Sequence, residues 1–134
     1  MMRTWIADDP HKYRGTVVAN GHCARHVQMA TGITHSSTWR RGVSVRDADA
    51  DELLRGVVIA TFDKAGHYAN ATDGSSHICI LLERKTDGLL VVDQWVGKPV
   101  GERLIRWKGG AGKAVDDADQ YFVVQTDDGI AATA

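Results

Sequence analysis

The sequence of 134 residues predicts an α+β fold, with one or two helices followed by an antiparallel sheet of about five strands. Apolar residues at helical spacing occupy 22–31, between a capping residue, Asn20, and a glycine that ends helices, Gly32. The second half of the chain consists instead of short apolar or alternating runs. The helix therefore comes first, and the sheet is built after it.

Five segments are predicted to be strands: 57–62, 77–83, 89–96, 102–107 and 120–126. Asp87-Gly88 favours a tight turn, so the second and third of these strands should form a hairpin. A short extended piece is also expected near the start of 43–56. The polar segment 63–76 has no clear element, and connections of that length are more often functional than not.

Composition and charge indicate an ordinary globular chain. Hydrophobic residues make up 43% of it and charged residues 25%, and 16 basic against 17 acidic residues give a formal net charge of −1. This balance argues against a nucleic-acid partner, because such proteins usually carry a basic excess. No apolar run approaches the roughly 18 residues that span a bilayer, so no membrane insertion is expected. Length and the absence of repeats predict a single domain over residues 1–134.

The N-terminal segment and the cysteines bear on where the chain acts. Residues 1–15 lack the apolar segment of a secretory signal and carry acids early. The chain is therefore expected to be made in the cytoplasm without a signal peptide. Cys23 and Cys79 are its two cysteines, and without an export signal free thiols are the expected state.

Cys23 lies where a helix start would make a thiol reactive. The unpaired N–H groups and partial positive charge of a helix N-terminus favour the thiolate, which is the nucleophilic form. The same N–H groups can hold the oxyanion that forms when sulfur attacks an amide carbonyl. Asn20-Gly21 precedes the cysteine, and glycine there lets a substrate approach the backbone closely.

A cysteine nucleophile needs a base and a group that orients the base. His77 is the first residue of a predicted strand, and Asp93 lies in the partner strand of the same hairpin. The turn at Asp87-Gly88 places the two diagonally across the pair, within reach of each other. Pairing with His77 would also explain a carboxylate inside the apolar run "LLVVDQWV", where an unpaired charge is costly.

Each of these residues has a structural alternative. Cys23 is of a type often found in cores. His77 fits a hydrogen-bonded histidine of an edge strand. Asp93 has Arg103 and Arg106 on the next strand as possible partners.

A metal site is not favoured, and no cofactor is expected. His22 and His26 are four residues apart around Cys23, but a zinc site needs further ligands, and the glutamate of an HExxH motif is absent. His26 is expected on the surface, and Cys79 is expected to be a packed small hydrophobe.

Five segments of the chain resemble bacterial cell-wall amidases of the papain-like NlpC and CHAP type: "GTVVANGHCARHVQ", "SSTWRRGVSV", "GVVIATF", "DGSSHICILL" and "VVDQW". Within that group the sequence is most similar to the small amidase effectors of the type VI secretion system, in their second family. The resemblance covers roughly residues 13–126, and its most specific parts surround Cys23 and His77.

This resemblance implies a fold, an activity and a set of roles. The fold would be papain-like, with the cysteine on an N-terminal helix packed on the sheet. Cys23 would be the nucleophile, His77 the general base and acid, and Asp93 the orienting residue. Asp93 departs from the Asn, Glu or His common elsewhere in the superfamily, which leaves Gln94 as an alternative. His22 and Gln94 would border the oxyanion site or substrate groove.

The family hydrolyses stem-peptide bonds of peptidoglycan, and its second branch is associated with the D-alanine–meso-diaminopimelate crosslink. Such effectors are delivered by type VI secretion to the periplasm of a rival cell, and a cognate immunity protein blocks them in kin. Two alternatives stay open at this point. One is a transglutaminase-like deamidase that uses the same three residues on proteins, and the other is an inactive binding module of this fold.

Overall fold

The computed structural model describes residues 2–127, and within them one α-helix packs on a seven-stranded antiparallel sheet. The predicted α+β class is therefore confirmed, with two more strands than the five expected. The helix, α1, spans Cys23–Thr31. The strands are β1 Met2–Arg3, β2 Arg40–Ser44, β3 Val58–Thr61, β4 Ile78–Lys85, β5 Gly88–Trp95, β6 Lys98–Arg106 and β7 Tyr121–Asp127.

Helix α1 begins and ends within one residue of its predicted bounds. Asn20 does not cap it directly, because the Asn20 side chain accepts a hydrogen bond from the His22 N–H and so forms a turn ahead of the helix. Gly32 ends the helix in the left-handed conformation, with φ 76° and its N–H bonded to the Gln28 carbonyl. Between residues 2 and 127, no helix has the length and apolar character needed to cross a membrane.

The prediction that His26 lies on the surface is wrong. His26 and Val27 form the buried face of α1, and His26 is only 1% exposed. Because α1 has only nine residues, its contact with the sheet covers the whole of this buried face, and the polar His26 is buried along with Val27.

The sheet runs in the order β1-β7-β3-β4-β5-β6, and β2 also pairs with β7. Strands β4 and β5 form the predicted hairpin, in which Lys85 lies opposite Gly88. A second hairpin joins β5 to β6, with Trp95 opposite Lys98 across a turn at Gly97, where φ is 97°. This turn brings the start of β6 next to the end of β5.

Alternate residues of the central strands face two separate cores. One core lies on the side of α1 and includes Val27, Ile78, Ile80 and Val92. The other includes Cys79, Leu81, Val91 and Tyr121 on the opposite face. Because both faces of β3, β4 and β5 are covered, these strands are held rigidly, and residues at their ends are well placed to form a fixed site.

Candidate active site

The segment that leads into α1 is bonded to the end of β5 by Gln94. The Gln94 side chain is fully buried. Its Oε1 accepts from the Val18 N–H at 2.9 Å, and its Nε2 donates to the Val18 carbonyl at 3.0 Å and to the His22 carbonyl at 2.9 Å. Gln94 therefore does not line a substrate groove, although the resemblance implied that it would. It fixes the backbone immediately before Cys23, and so places the start of the helix beside the sheet.

His77 is held at the start of β4 by its neighbour on β3. The Thr61 hydroxyl accepts a hydrogen bond from the His77 N–H at 3.0 Å and donates one to the Ser75 carbonyl at 2.9 Å. The Thr61 N–H in turn donates to the His77 carbonyl at 3.0 Å. The backbone of His77 is thus fixed on both sides, and only 4% of the residue is exposed.

The structure brings His77 and Asp93 into direct contact across the hairpin. His77 Nε2 and Asp93 Oδ2 are 2.8 Å apart, and the Asp93 side chain is fully buried. With Nε2 engaged by the carboxylate, Nδ1 is the ring nitrogen left for a partner on the other side. Asp93 rather than Gln94 is the residue that contacts the imidazole.

Asp93 also accepts hydrogen bonds from two cations of β6. Lys98 Nζ lies 3.0 Å from Oδ1, and Arg103 Nε lies 2.7 Å from Oδ2. Two partners that the sequence offered as alternatives, His77 and Arg103, therefore both bind the same oxygen, whereas Arg106 lies near Asp87 at 3.6 Å. Burial raises the pKa of Asp93, but the His77 hydrogen bond and the charges of His77 and Arg103 outweigh it and hold the pKa well below its usual range. The carboxylate is ionised.

Cys23 and His77 lie close enough for each to shift the pKa of the other, through hydrogen bonding and through charge. Burial raises the pKa of the Cys23 thiol, but the hydrogen bond and charge of His77 outweigh this and leave the pKa below its ordinary value. Burial lowers the pKa of His77, whereas the bonds to Asp93 and Cys23 raise it to about 9. The two shifts together favour a thiolate beside an imidazolium, the reactive state of a cysteine nucleophile.

A groove of about 600 Å³ opens over these residues. Cys23, His77 and His22 are among the residues that line it. Its other walls come from the loop that precedes β4, from the Trp95–Val96 turn and from the segment after β6. Trp95 is 42% exposed here, so a substrate can contact its ring.

Across residues 2–127, no three His, Cys, Asp or Glu side chains are arranged to hold a metal ion. His22 is exposed while His26 is buried, so this pair does not converge on one point. Both cysteines are free thiols. Cys79 packs in the core on the face opposite α1, and burial raises its pKa well above the ordinary value.

Two side chains of the candidate site could not be assigned from the sequence. Lys98 was outside any predicted strand, although Gly97 before it is a turn residue that could have indicated a hairpin. Tyr68 lies in the long loop between β3 and β4, and its hydroxyl is 3.6 Å from Cys23 Sγ. The length of that loop was the available signal, but it could not select the residue.

A helix that begins at a cysteine and packs on an antiparallel sheet carrying a histidine and a carboxylate defines a papain-like cysteine hydrolase. The chain belongs to the family of domesticated amidase effector 2, whose family model matches residues 1–124. The resemblance to the type VI amidase effectors and the expected class of enzyme, an amidase, are therefore confirmed.

Two relatives are similar over most of their length. Domesticated amidase effector 2 of Ixodes scapularis is 29% identical over 123 residues, which cover 87% of this chain and 82% of the relative. The solved structure of type 6 secretion amidase effector 2 superposes with a TM-score of 0.75 at 27% identity, covering 91% of this chain and 94% of the other. The similarity thus extends across the whole fold and is not limited to the site.

Proposed function

We propose that this chain is a cysteine amidase that hydrolyses peptide bonds in the stem peptides of bacterial peptidoglycan. Cys23 is the nucleophile, His77 the general base and acid, and Asp93 the residue that orients the imidazole. The observation that carries this proposal is that Cys23 and His77 line one open groove and that His77 is bonded to the buried Asp93. Membership of an amidase family supports the reaction class.

The mechanism follows from the charges of the site. The Cys23 thiolate attacks the scissile carbonyl, while His77 holds the proton on its ring. The imidazolium then gives that proton to the leaving amine, and the acyl group remains on sulfur. His77, now neutral, activates a water molecule that hydrolyses the thioester. Throughout, Asp93 keeps the ring oriented toward Cys23 and stabilises its positive form.

We propose further that the bond cut is the crosslink between D-alanine and meso-diaminopimelate, and that type VI secretion delivers the chain to the periplasm of a target cell. The similar solved structure is that of a type 6 secretion amidase effector, which supports this route. A cognate immunity protein would then protect the producing cell by covering the groove.

The test is to incubate the protein with purified, crosslinked muropeptide dimers and to follow fragment masses. The dimer should be lost with a gain of one water, and the masses identify the bond. Replacing the nucleophile, Cys23→Ala, should reduce the rate more than about 10⁴-fold, because the other groups cannot form the acyl-enzyme. Cys79→Ala is the matched control, since it removes the buried thiol and should retain cleavage.

Dimers left intact by the wild-type protein would contradict the proposal. If the protein instead released ammonia from glutamine side chains of a protein substrate, the site would belong to a deamidase. Cleavage that persists in Cys23→Ala would contradict the assignment of the nucleophile.

A further inference from the structure

Cys23 has a second polar neighbour besides His77. The hydroxyl of Tyr68 lies 3.6 Å from Cys23 Sγ, within hydrogen-bond distance for sulfur, and Tyr68 also lines the groove. It comes from the loop between β3 and β4, which is a different part of the fold from the hairpin that carries His77. The sulfur therefore contacts two side chains of different chemistry, and the mechanism above uses one of them.

The Tyr68 ring is held in place by other aromatic rings. It packs edge-on against Trp39 with centroids 4.7 Å apart and against Phe62 at 6.5 Å. Trp39 is itself fully buried, and its indole N–H donates to the Thr34 carbonyl at 2.9 Å. Only 8% of Tyr68 is exposed. A phenol held this way keeps its hydroxyl at one position, which is the requirement for a preorganised donor.

The hydroxyl stays protonated at every pH at which the enzyme can work. Burial raises the pKa of Tyr68 far above its ordinary value, and the charge of Cys23 and its hydrogen bond raise it further. Such a group does not act as a base. It donates a hydrogen bond to whichever neighbouring atom carries negative charge.

During acylation the negative charge moves from sulfur to the carbonyl oxygen. That oxygen is bonded to the carbon that sulfur attacks, so it lies two bonds from Sγ and comes within the region that the Tyr68 hydroxyl can reach. The N–H of Cys23 lies in the same region and has no acceptor within α1, because it belongs to the first turn of the helix. Gln94, which the sequence offered as a bordering residue, uses its amide on backbone groups instead.

We propose that Tyr68 is a further catalytic residue, whose hydroxyl donates a hydrogen bond to the Cys23 thiolate in the free enzyme and to the oxyanion in the tetrahedral intermediate. This inference rests on the proposed function of Cys23 as the nucleophile. A lone pair of sulfur forms the S–C bond, and the π electrons of the carbonyl move to its oxygen. When the intermediate collapses, those electrons re-form the C=O bond, the C–N bond breaks, and the nitrogen takes its proton from His77. Tyr68 keeps its own proton.

The test compares Tyr68→Phe with the wild type in acyl transfer and in alkylation of Cys23. Acyl transfer is measured on muropeptide dimers and on p-nitrophenyl acetate, since both substrates pass through a tetrahedral oxyanion. Alkylation by iodoacetamide reports the same thiolate but forms no oxyanion. We expect kcat to fall about 10²–10³-fold on both substrates, with a far smaller change in the alkylation rate. Tyr13→Phe, which removes the hydroxyl that lies 3.5 Å from the Met29 carbonyl outside the groove, is the matched control and should behave as wild type.

An unchanged kcat in Tyr68→Phe would overturn the inference. Equal losses in acyl transfer and alkylation would also overturn it, because Tyr68 would then act on the thiol or on the fold alone. The ester substrate separates this inference from the proposed function. If the wild type leaves muropeptide dimers intact, the proposed substrate is wrong, while the Tyr68 effect is still measured on the ester.

Discussion

Asp93 is a fully buried carboxylate that bonds three cationic side chains. His77 and Arg103 share Oδ2, and Lys98 contacts Oδ1. Burying a charge without partners is strongly unfavourable, whereas a carboxylate whose oxygens are all satisfied can be retained. Lys98 is also held in place, because its Nζ donates a hydrogen bond to the backbone carbonyl oxygen of Asp93 at 2.9 Å. Lys98 and Arg103 thus keep Asp93 ionised and in place, and act on His77 through it.

Arg103 is therefore expected to be a positioning residue that also stabilises the fold. Arg103→Met removes the 2.7 Å bond to Asp93 and leaves His77 as the only donor to Oδ2 within residues 2–127. We expect a loss of about 2 kcal/mol in the free energy of unfolding, typical of a hydrogen bond to a charged group. Urea denaturation measures this loss. A pH profile of kcat/KM should show the alkaline limb moving to higher pH, because Asp93 Oδ2, no longer shared with the positive charge of Arg103, stabilises the imidazolium of His77 more.

Arg106→Met is the matched control for this change. Arg106 lies three residues further along β6, and its ion pair with Asp87 is 3.6 Å long and exposed. Exposed pairs of this kind contribute less than about 1 kcal/mol. If Arg103→Met lowered stability no more than Arg106→Met and left the pH profile unchanged, the positioning role would be refuted.

At the scale of elements, α1 combines a reactive start with an unusual buried face. Cys23 is its first residue, and His26, one turn further on, faces the sheet. The rings of His26 and Tyr13 pack edge-on, with their centroids 6.3 Å apart. Neither ring nitrogen of His26 has a hydrogen-bond partner among the described residues. Burial lowers the pKa of His26 from 6.5 to about 4. The helix therefore packs on the sheet with this imidazole neutral.

This burial makes the docking of α1 sensitive to acid. The unfolded chain takes up a proton at His26 near pH 6.5, whereas the folded chain does so only near pH 4. Stability from this residue is complete above pH 6.5 and is lost as the pH falls toward 4. Between pH 6.5 and about pH 5 the loss is about 1.5 kcal/mol, since the slope approaches 1.36 kcal/mol per unit only once the unfolded His26 is mostly protonated. His26→Phe should abolish this part of the pH dependence in urea denaturation.

The exposed His67 provides a matched control. His67→Phe should leave the difference in stability between the two pH values as in the wild type. Two results would show that His26 does not carry this effect. One is a wild-type protein with the same free energy of unfolding at the two pH values, and the other is a His26→Phe variant that loses as much stability between them as the wild type does.

Among the elements that the sequence predicted closely are the strands whose residues are mostly apolar on both faces. Strands β3, β4 and β5 were expected within two residues of their bounds because Val, Ile and Leu dominate them. Strand β2, "RRGVS", contains two arginines and a glycine, and only its pairing with β7 makes it a strand. The first half of β6 contains Pro99 and Gly101, so local propensity could not indicate it, and the contact of Lys98 with Asp93 was missed with it.

The same limit applies to the site. Helix position and strand order pointed to Cys23, His77 and Asp93 as candidates, because each is tied to an element that a pattern predicts. Tyr68 lies in a loop without a repeating pattern, and its place depends on the packing of Trp39 and Phe62, which are distant in sequence. Gln94 was placed at the groove on the family resemblance, but neighbouring residues of a strand face opposite sides of the sheet, and its amide binds the backbone before Cys23 instead.

At the scale of the whole molecule, the sheet is continuous through the β4–β5–β6 meander, so a local defect there should affect the entire fold. Gly88 begins β5 and lies directly against β6. A Cβ at this position would lie 2.1 Å from the Ile105 carbonyl oxygen and 2.9 Å from the Arg106 Cα. These are backbone atoms of the paired strand, so neither can move without breaking the ladder.

Gly88→Ala should therefore lower the free energy of unfolding by about 3 kcal/mol or more, as steric strain in a core element does. Thermal unfolding followed by circular dichroism should show one transition at lower temperature, because the hairpin supports both cores. Gly101→Ala on β6 is the control, since its Cβ would meet nothing closer than 3.8 Å, and it should change stability by less than about 0.5 kcal/mol. Equal effects of the two substitutions would contradict this account of the meander.

The site is assembled from segments that are unequally far apart along the chain. His77 and Asp93 are 16 residues apart in one hairpin, whereas the contact between Cys23 and Tyr68 spans 45 residues. Because the entropy lost in closing a loop grows with its length, the hairpin pair can form early, while the sulfur joins only when α1 docks. The acidity of the Cys23 thiol is thus a property of the completed tertiary structure. In a nascent or unfolded chain Cys23 has a thiol of ordinary pKa and low reactivity, so the thiol becomes reactive only when the chain has folded.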